Sequence, residues 1–211
     1  FGKNIKFYFA GSSEMFGKTI MHPQNETTPF HPRSPYGISK VAGFDLTRNY
    51  REAYGLHASS GILFTHESPR RGYEFVTRKI TQAAAKIKYG LQKDLLLGNI
   101  NAKRDWGHAK DYVEAMWLML QQESSDDYVV GTGTAHSVEE FAKIAFSVLD
   151  LNYENYIKID KSLFRPSTVA NMISDSSKIR NILQWKPKIN LEKLISEMVI
   201  ADYNILKKNN K

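Results

Sequence analysis

The chain has 211 residues, of which 42% are hydrophobic and 24% are charged, and its formal net charge is +7. This length and composition are typical of a soluble globular protein of one or two domains. No run approaches the roughly 18 apolar residues of a membrane span. The chain contains no cysteine, which excludes disulfides and thiolate metal sites and suits a cytoplasmic protein. Its basic residues are scattered, so the charge favours a phosphate-bearing ligand over nucleic acid.

Predicted strands and helices alternate along the chain, which indicates an α/β fold with a parallel sheet. The predicted strands are 4–10, 57–64 and 128–131, and the predicted helices are 36–54, 74–89, 108–122 and 141–149. Ser137 and Glu140 have capping-box spacing before the last of these helices. Asp175 and Asn190 are predicted to cap two final helices. In helix 108–122, the apolar residues share one face, namely Val113, Met116, Trp117 and Leu120.

The stretch after the first strand carries the residues best suited to proton transfer. Ser12 and Glu14 are two residues apart at the end of that strand, so we expect both side chains to point to one face. Tyr36 and Lys40 are four residues apart on a predicted helix, where an ammonium group favours the phenolate form of the phenol. The same spacing occurs at Tyr89/Lys93 and Tyr203/Lys207. The spacing alone therefore fits a solvated pair on the helix surface as well as it fits a catalytic pair.

Three longer strings identify a resemblance, namely Pro32–Gly37 (PRSPYG), His66–Gly72 (HESPRRG) and Ala102–Val113 (AKRDWGHAKDYV). Together with Ser34–Lys40 (SPYGISK), they resemble the extended short-chain dehydrogenase/reductases and, among these, the GDP-mannose 4,6-dehydratase family. The resemblance runs from about Ile5 to the C-terminal helix. It implies a partial Rossmann-type parallel sheet with an interleaved, smaller substrate-binding lobe. The implied NADP-binding part is 1–64 and 108–135, and the implied lobe for the GDP-sugar is 65–107 and 136–211.

A glycine-rich turn for the cofactor pyrophosphate is not found in the 211 residues. Gly131-Thr132-Gly133 follows a predicted strand, but it lacks the third glycine, so we interpret it as a loop. The chain also begins with Phe1, and its first residues lack the apolar run typical of a signal peptide, so we expect none. We therefore expect an N-terminally truncated chain without the first nucleotide-binding half, in which the strand at 4–10 is an open edge.

The resemblance implies a role for each candidate site residue. Ser12, Glu14, Tyr36 and Lys40 match the catalytic set, in which the tyrosine accepts the proton of the 4-hydroxyl and the glutamate removes the C5 proton and helps expel the 6-hydroxyl. Cofactor contacts match Tyr36, Lys40, His66 and Arg71, and substrate contacts match Thr65, Lys79, Arg104, Arg165 and Thr168. The alternatives are that His66 is a packed loop residue and that Arg104 forms an internal ion pair. The six histidines have no metal-ligand spacing, so we expect no metal.

Three positions depart from the family pattern: Gly11 stands where serine is usual, Thr65 where asparagine is usual, and Thr168 where glutamate is usual. These departures are expected to weaken substrate affinity. The implied reaction converts GDP-mannose to GDP-4-dehydro-6-deoxy-mannose with NADP, in a cytoplasmic homodimer or homotetramer without nucleic-acid or membrane partners. Two alternatives remain, an inactive remnant that keeps only assembly surfaces and a related nucleotide-sugar epimerase or dehydratase. The strings at His66–Gly72 and Ala102–Val113 disfavour the second.

Overall fold

A computed structural model describes residues 5–164 and 171–209. The helices are α1 (Pro35–Tyr54), α2 (Val76–Lys88), α3 (Ala109–Gln121), α4 (Val138–Ser147), α5 (Ser177–Leu183) and α6 (Leu191–Asn209). The strands are β1 (Lys6–Ala10), β2 (His57–Leu63), β3 (Thr65–Glu67), β4 (Leu95–Leu97), β5 (Lys103–His108), β6 (Asp127–Val130), β7 (Ala135–Ser137), β8 (Ile157–Ile159) and β9 (Asn171–Met172). Within the described ranges, no helix has the length and apolar character needed to cross a membrane.

The chain divides into two compact units. The first comprises Phe1–His66, Asp105–Ala135 and Asn171–Lys188, and the second comprises Glu67–Arg104, His136–Ala170 and Ile189–Lys211. Whether the first unit serves the cofactor and the second the substrate stays a prediction.

A three-stranded parallel sheet in the order β1–β2–β6 forms the centre of the first unit. Strand β2 is buried along almost its whole length, as expected for a parallel strand that is covered on both faces. Phe7 and Phe9 of β1 lie on the face towards α1, whereas Tyr8 packs with Leu63 against α3. Strand β5 pairs with β3 and with β9. The predicted α/β fold with a parallel sheet is therefore confirmed.

Helix α3 buries a different face from the apolar stripe seen in the sequence. Val113 and Trp117 are 60% and 61% exposed, while Tyr112 and Met119 are fully buried with Trp185. Two tethers fix this rotation, because the backbone carbonyl of Asp111 accepts from Trp185 Nε1 (2.8 Å) and its carboxylate accepts from the Lys188 amide (3.0 Å). Val113 and Trp117 of that stripe therefore lie outside the buried face of the helix.

The helix caps agree with the sequence at two of three positions. Ser137 Oγ accepts from the Glu140 amide (3.0 Å) and Asn190 Oδ1 accepts from the Lys193 amide (3.0 Å), so both predicted caps are confirmed. The prediction for Asp175 is wrong by one residue, because Ser176 is the N-cap of α5. The carboxylate of Asp175 instead accepts from the amide and the hydroxyl of Ser177. Those bonds lower the pKa of Asp175, the hydroxyl contributing most.

Three helices, α2, α4 and α6, pack together in the second unit. Their facing side chains include the fully buried apolar residues Ile80, Phe141, Phe146, Leu194 and Ile195. The alanines Ala83, Ala84 and Ala85 of α2 are also buried, and their small volume lets neighbouring helices approach closely. Strands β4 and β8 form a separate parallel pair in this unit.

Asp105 is a buried anchor of the first unit. Its side chain is 1% exposed and accepts from Thr132 N (2.9 Å) and Oγ1 (2.6 Å), from Gly133 N (3.0 Å), and from Ser174 N (3.2 Å) and Oγ (2.6 Å). One carboxylate thus joins β5 to the loop after β6 and to the segment after β9. Gly131–Gly133 forms a loop, as predicted.

Replacement of Asp105 by alanine is expected to lower the free energy of unfolding by at least about 3 kcal/mol, because several buried donors lose their acceptor at once. Chemical denaturation monitored by circular dichroism measures this change. Asp45→Ala is the matched control, since Asp45 forms a solvent-exposed pair with Arg48 and its loss should cost less than about 1 kcal/mol. Equal effects of the two substitutions would contradict the anchoring role of Asp105.

An apolar groove of about 300 Å³ runs beside β1, which is an end strand of the three-stranded sheet as described. Its lining includes Phe7, Phe9, Leu46 and Tyr50, from β1 and α1. Phe7, Leu46 and Tyr50 are between 45% and 60% exposed. The described part of the chain therefore leaves this edge of the sheet uncovered.

Candidate active site

Strand β1 ends at Ala10, and the chain turns before it reaches the predicted catalytic serine. Ser12 is the N-cap of a short 3-10 turn, Ser13–Met15, and its Oγ accepts from the amide of Glu14 (3.2 Å). The expectation that Ser12 and Glu14 lie at the end of the strand, with both side chains on one face, was therefore wrong. The half-buried serine and the exposed glutamate are instead fixed by a turn whose local hydrogen bonds hold both residues.

Gly11 allows the close approach of β1 to β2 at this point. A β-carbon at position 11 would lie 2.9 Å from the carbonyl oxygen of Gly61 and 3.3 Å from Met15 Sδ. Real side chains almost never approach so closely, so a serine here would force the strands or the turn to shift. The departure from the family's usual serine thus fits the packing of this chain.

Helix α1 begins directly beside the turn that carries Glu14. Ser34 Oγ accepts from the amide of Gly37 (3.0 Å), and Pro35 occupies the first helical position, where a missing N–H costs nothing. A β-carbon on Gly37 would lie 2.7 Å from the carbonyl oxygen of Glu14. Glycine at position 37 therefore lets the first turn of α1, and Tyr36 with it, sit against the Glu14 turn.

Tyr36 and Lys40 occupy the predicted positions one turn apart on α1. The Lys40 ammonium group donates to the Ala10 carbonyl at the end of β1 (2.8 Å) and lies 5.5 Å from the ring centroid of Tyr36. The tyrosine side chain is 53% exposed, so its hydroxyl is open to a ligand. The structure thus brings Ser12, Glu14, Tyr36 and Lys40 together at the carboxyl end of β1, where ligands of open α/β sheets bind.

His66 lies beyond the carboxyl end of β2, on β3. Its Nδ1 is 3.0 Å from the carbonyl oxygen of Phe64, and its ring stacks on Tyr112 with centroids 4.8 Å apart. Tyr112 in turn meets Trp185 edge to face at 6.2 Å. The half-buried histidine is therefore held by an aromatic stack, and Thr65 beside it is also half-buried.

In the second unit, Arg71 is fixed by two neighbours of different kinds. Its Nε is 3.3 Å from Oε2 of Glu67, and its guanidinium carbon lies 3.4 Å from the centroid of the Phe75 ring. Glu67 is 2% exposed, whereas the side chain of Arg71 is 27% exposed. The arginine therefore keeps one accessible edge while its other contacts hold its orientation.

The remaining predicted substrate residues in the second unit are Lys79 and Arg104. Lys79 is exposed on the first turn of α2, and Arg104 is half-buried on β5, where its Nη1 donates to the Lys103 carbonyl (2.7 Å). Arg165 and Thr168 lie outside the described residues. Among residues 5–164 and 171–209, no three histidine, aspartate or glutamate side chains are grouped as metal ligands would be.

Sequence reasoning missed several buried charged residues, among them Glu67, Arg78 and Asp105. Glu67 and Asp105 lie inside the strings that carried the family resemblance, and Arg78 follows shortly after one of them. For Arg78, the available signal was a charged residue next to an apolar helical stripe. It was not decisive, because most charged residues are solvated.

The pKa of Glu67 is raised from 4.5 to about 7, mainly by burial, which the charge of Arg71 partly opposes. Between these two pKa values, the folded protein binds one more proton than the unfolded chain. The contribution of the protonated glutamate to stability is therefore fully present below pH 4.5 and is lost as the pH rises through 7.

Glu67→Gln, which cannot ionise, is expected to gain stability relative to the unsubstituted protein as the pH rises. The gain between about pH 4.5 and about pH 8 is at most about 3 kcal/mol, since each pKa unit is about 1.4 kcal/mol. Urea denaturation at a series of pH values gives this difference. Glu74→Gln, at an exposed position of the same segment, should show no such trend. Parallel pH profiles for Glu67→Gln and the unsubstituted protein would refute the raised pKa.

Comparison with known sequences gives one consistent family. Residues 1–198 match the family described as GDP-mannose 4,6 dehydratase. GDP-mannose 4,6 dehydratase 1 of Arabidopsis thaliana is 59% identical over 207 residues, which are 98% of this chain and 57% of the relative. GDP-mannose 4,6 dehydratase of Homo sapiens is 46% identical over 223 residues, with 98% and 60% covered. The chain therefore spans little more than half the length of these relatives.

Solved structures with the same fold include RMD from Pseudomonas aeruginosa complexed with NADPH (TM-score 0.87, 21% identity, 95% of this chain and 67% of that one). Another is dTDP-glucose 4,6-dehydratase from Bacillus anthracis in complex with NAD (TM-score 0.83, 20% identity, 98% and 64%). At these identities the likeness concerns the fold alone. The sequence matches are more specific than the fold, because the family match covers residues 1–198. The chain belongs to the GDP-mannose 4,6-dehydratase family.

Proposed function

We propose that the protein containing this chain is an NADP-dependent GDP-mannose 4,6-dehydratase that produces GDP-4-dehydro-6-deoxy-mannose for deoxysugar synthesis of the GDP-fucose type. One observation carries the proposal: helix α1 presents Tyr36 and Lys40 against the turn that holds Ser12 and Glu14. A plain oxidoreductase needs only the hydroxyl, phenol and ammonium groups. The additional carboxylate favours a dehydratase, because water loss needs a further base and acid.

Each side chain has a distinct task in the proposed reaction. Tyr36, as phenolate, accepts the proton of the sugar 4-hydroxyl, while the Lys40 ammonium group stabilises that phenolate. Ser12 donates a hydrogen bond to the 4-oxygen and orients it towards Tyr36. Once C4 is a ketone, the C5 hydrogen is acidic. Glu14 then removes the C5 proton and passes a proton to the 6-hydroxyl, which leaves as water.

The chain's residues suit a nicotinamide cofactor at its reactive end. Tyr36 and Lys40 stand at the carboxyl end of a parallel strand, and His66 follows the neighbouring strand. NADP, when bound, would supply the hydride acceptor for C4 and the hydride donor for C6. Tyr36, Lys40, His66 and Arg71 are the residues that we assign to holding it. RMD, whose fold is similar, was solved with NADPH, which supports a cofactor of this class.

The diphosphate and nucleoside of the substrate require cationic partners. Lys79 is exposed and Arg104 is half-buried, and guanidinium groups bind phosphate oxygens with two parallel hydrogen bonds. We assign these two residues, with Thr65, Arg165 and Thr168, to the GDP-mannose site. We further propose that residues 1–64 and 108–135 serve the cofactor, that residues 65–107 and 136–211 serve the substrate, and that the protein works as a cytoplasmic homodimer or homotetramer.

The test uses protein expressed from its full coding sequence, incubated in parallel with GDP-mannose and GDP-glucose. The 4-keto-6-deoxy product of GDP-mannose, detected by mass loss of one water, is the expected result. Preference for GDP-glucose, or inversion at C4 without water loss, would assign the chain to a related dehydratase or epimerase instead. Absence of turnover with both substrates would favour the inactive remnant.

A further inference from the structure

Arg78 occupies an unusual position, since it is 3% exposed although its neighbour Lys79 on the same helical turn is exposed to solvent. Its Nε and Nη2 donate to the carboxylate of Asp202 on α6 at 2.7–3.1 Å. Asp202 is 4% exposed and also accepts from Thr81 Oγ1 (2.7 Å). The two charges thus form a bidentate pair in the interior of the second unit.

The remaining guanidinium nitrogen of Arg78 is directed at the segment that carries Arg71. Nη1 donates to the carbonyl oxygens of Pro69 and of Arg71, the latter at 3.1 Å. The guanidinium carbon also lies 4.8 Å from the ring centroid of Tyr73. The side chain of Arg78 therefore holds the backbone of segment 68–75, and Asp202 of α6 in turn holds Arg78.

Other contacts to this segment are few: the side chain of Arg71 meets Glu67 and Phe75, and the Arg70 amide donates to Ser68 Oγ (3.1 Å). Phe75 is the N-cap of α2 and offers no side-chain hydrogen bond to the first turn. Within segment 68–75, the backbone bonds are two short turns, Arg71 N to Ser68 O (3.0 Å) and Phe75 N to Gly72 O (3.3 Å). Such turns fix few residues, so their geometry depends on the bonds from Arg78.

We propose that Arg78 and Asp202 are positioning residues that set the segment 68–75, and with it the cation of Arg71, for nucleotide binding. Helix α6 thereby controls the affinity for NADP without contacting the ligand. This inference rests on the proposed function, because Arg71 is assigned there to the cofactor. The buried bidentate pair is rigid and directional, and an apolar pair of similar size would fill the space without donating to the two carbonyls.

The test is the double substitution Arg78→Met/Asp202→Leu, made in protein of full encoded length. An unpaired buried charge destabilises a protein most, and removing both charges together avoids it. Thr81 stays satisfied, because its hydroxyl can donate instead to the Arg78 backbone carbonyl, which lies 3.2 Å away. The helices should therefore keep their packing, while segment 68–75 loses the hydrogen bonds that Arg78 donates to it.

Two readouts separate positioning from mere folding. We expect amide hydrogen exchange at Arg71 and Phe75 to rise about tenfold or more, while exchange in the middle of α2 and α6 is unchanged. We expect the dissociation constant for NADP, measured by calorimetry, to rise about tenfold, with kcat at saturating ligand within about threefold. Arg51→Met/Asp127→Leu is the matched control, because it removes the bidentate pair of the first unit.

Unchanged exchange at Arg71 and Phe75, or unchanged NADP affinity despite faster exchange, would overturn the inference. If the unsubstituted protein fails to bind NADP, the proposed function fails, and the exchange measurement still decides whether the pair holds the segment. If the double variant does not fold, Arg78→Lys replaces it. Lysine keeps a positive charge beside Asp202 but lacks the several N–H donors of a guanidinium group. We therefore expect the same rise in amide exchange and in the dissociation constant for NADP. Absence of these changes would equally refute the positioning role.

Discussion

Tyr36→Phe is expected to abolish turnover of GDP-mannose, with a loss of at least about 10²–10⁴-fold in kcat, the usual contribution of a positioned general base. The phenylalanine ring fills the same space, and the tyrosine is 53% exposed, so the loss of one hydroxyl changes little in the packing. Oxidation at C4 is the first step of the proposed reaction. Its loss should therefore remove every later step, including water loss and exchange of the C5 hydrogen.

Single-turnover absorbance at the nicotinamide band, together with product analysis, measures this effect. Tyr50→Phe is the matched control, because Tyr50 lies on the same helix and is 51% exposed but stacks on Tyr54 (5.1 Å) instead of joining the site. It should retain turnover within about threefold. Retention of more than about a tenth of the activity by Tyr36→Phe would remove Tyr36 from the role of base.

Glu14→Gln is expected to spare the oxidation at C4 and to slow water loss by about 10²–10⁴-fold. The amide keeps the shape of the side chain, and the backbone N–H of residue 14 still donates to Ser12 Oγ, so the turn should remain intact. An amide cannot remove the C5 proton. Exchange of that hydrogen with deuterated solvent should therefore disappear, and the 4-keto intermediate should accumulate.

Mass spectrometry in deuterated water and single-turnover absorbance give the two quantities. Glu52→Gln is the control, since Glu52 is an exposed carboxylate on α1 outside the site. Dehydration by Glu14→Gln within about tenfold of the unsubstituted protein would assign the C5 proton to another base. Loss of the C4 oxidation as well would mean that Glu14 acts earlier than proposed.

Local sequence signals predicted the elements that depend on local interactions. Helix α1 was predicted over 36–54, ending before Gly55, which takes the left-handed conformation (φ 64°) that ends the helix. The caps at Ser137 and Asn190 were predicted because a cap is a contact between residues three apart. The parallel sheet followed from the alternation of strands and helices.

Burial of a helix face was less predictable. In α3 two apolar stripes compete, and the choice depends on Trp185, which lies more than 60 residues further along the chain. The misplaced cap at Asp175 has a similar origin, because Ser174 and Ser176 are both drawn into bonds with distant partners, Asp105 and Gly131. Long-range hydrogen bonds thus decided details for which the local pattern offered two solutions.

The sequence by itself determined the family, the candidate catalytic residues and the element order, because these depend on residue identity and on short-range spacing. Spacing alone left three tyrosine–lysine pairs open, and the strings around Tyr36 and Lys40 singled out that pair. Tyr89 and Tyr203 stack on each other (4.9 Å), whereas Tyr36 lies beside the turn of Glu14. Only the tertiary structure revealed the buried pair of Arg78 and Asp202, which are 124 residues apart. The physical reason is that a buried charge needs a partner, and chain folding alone decides which distant residue provides it.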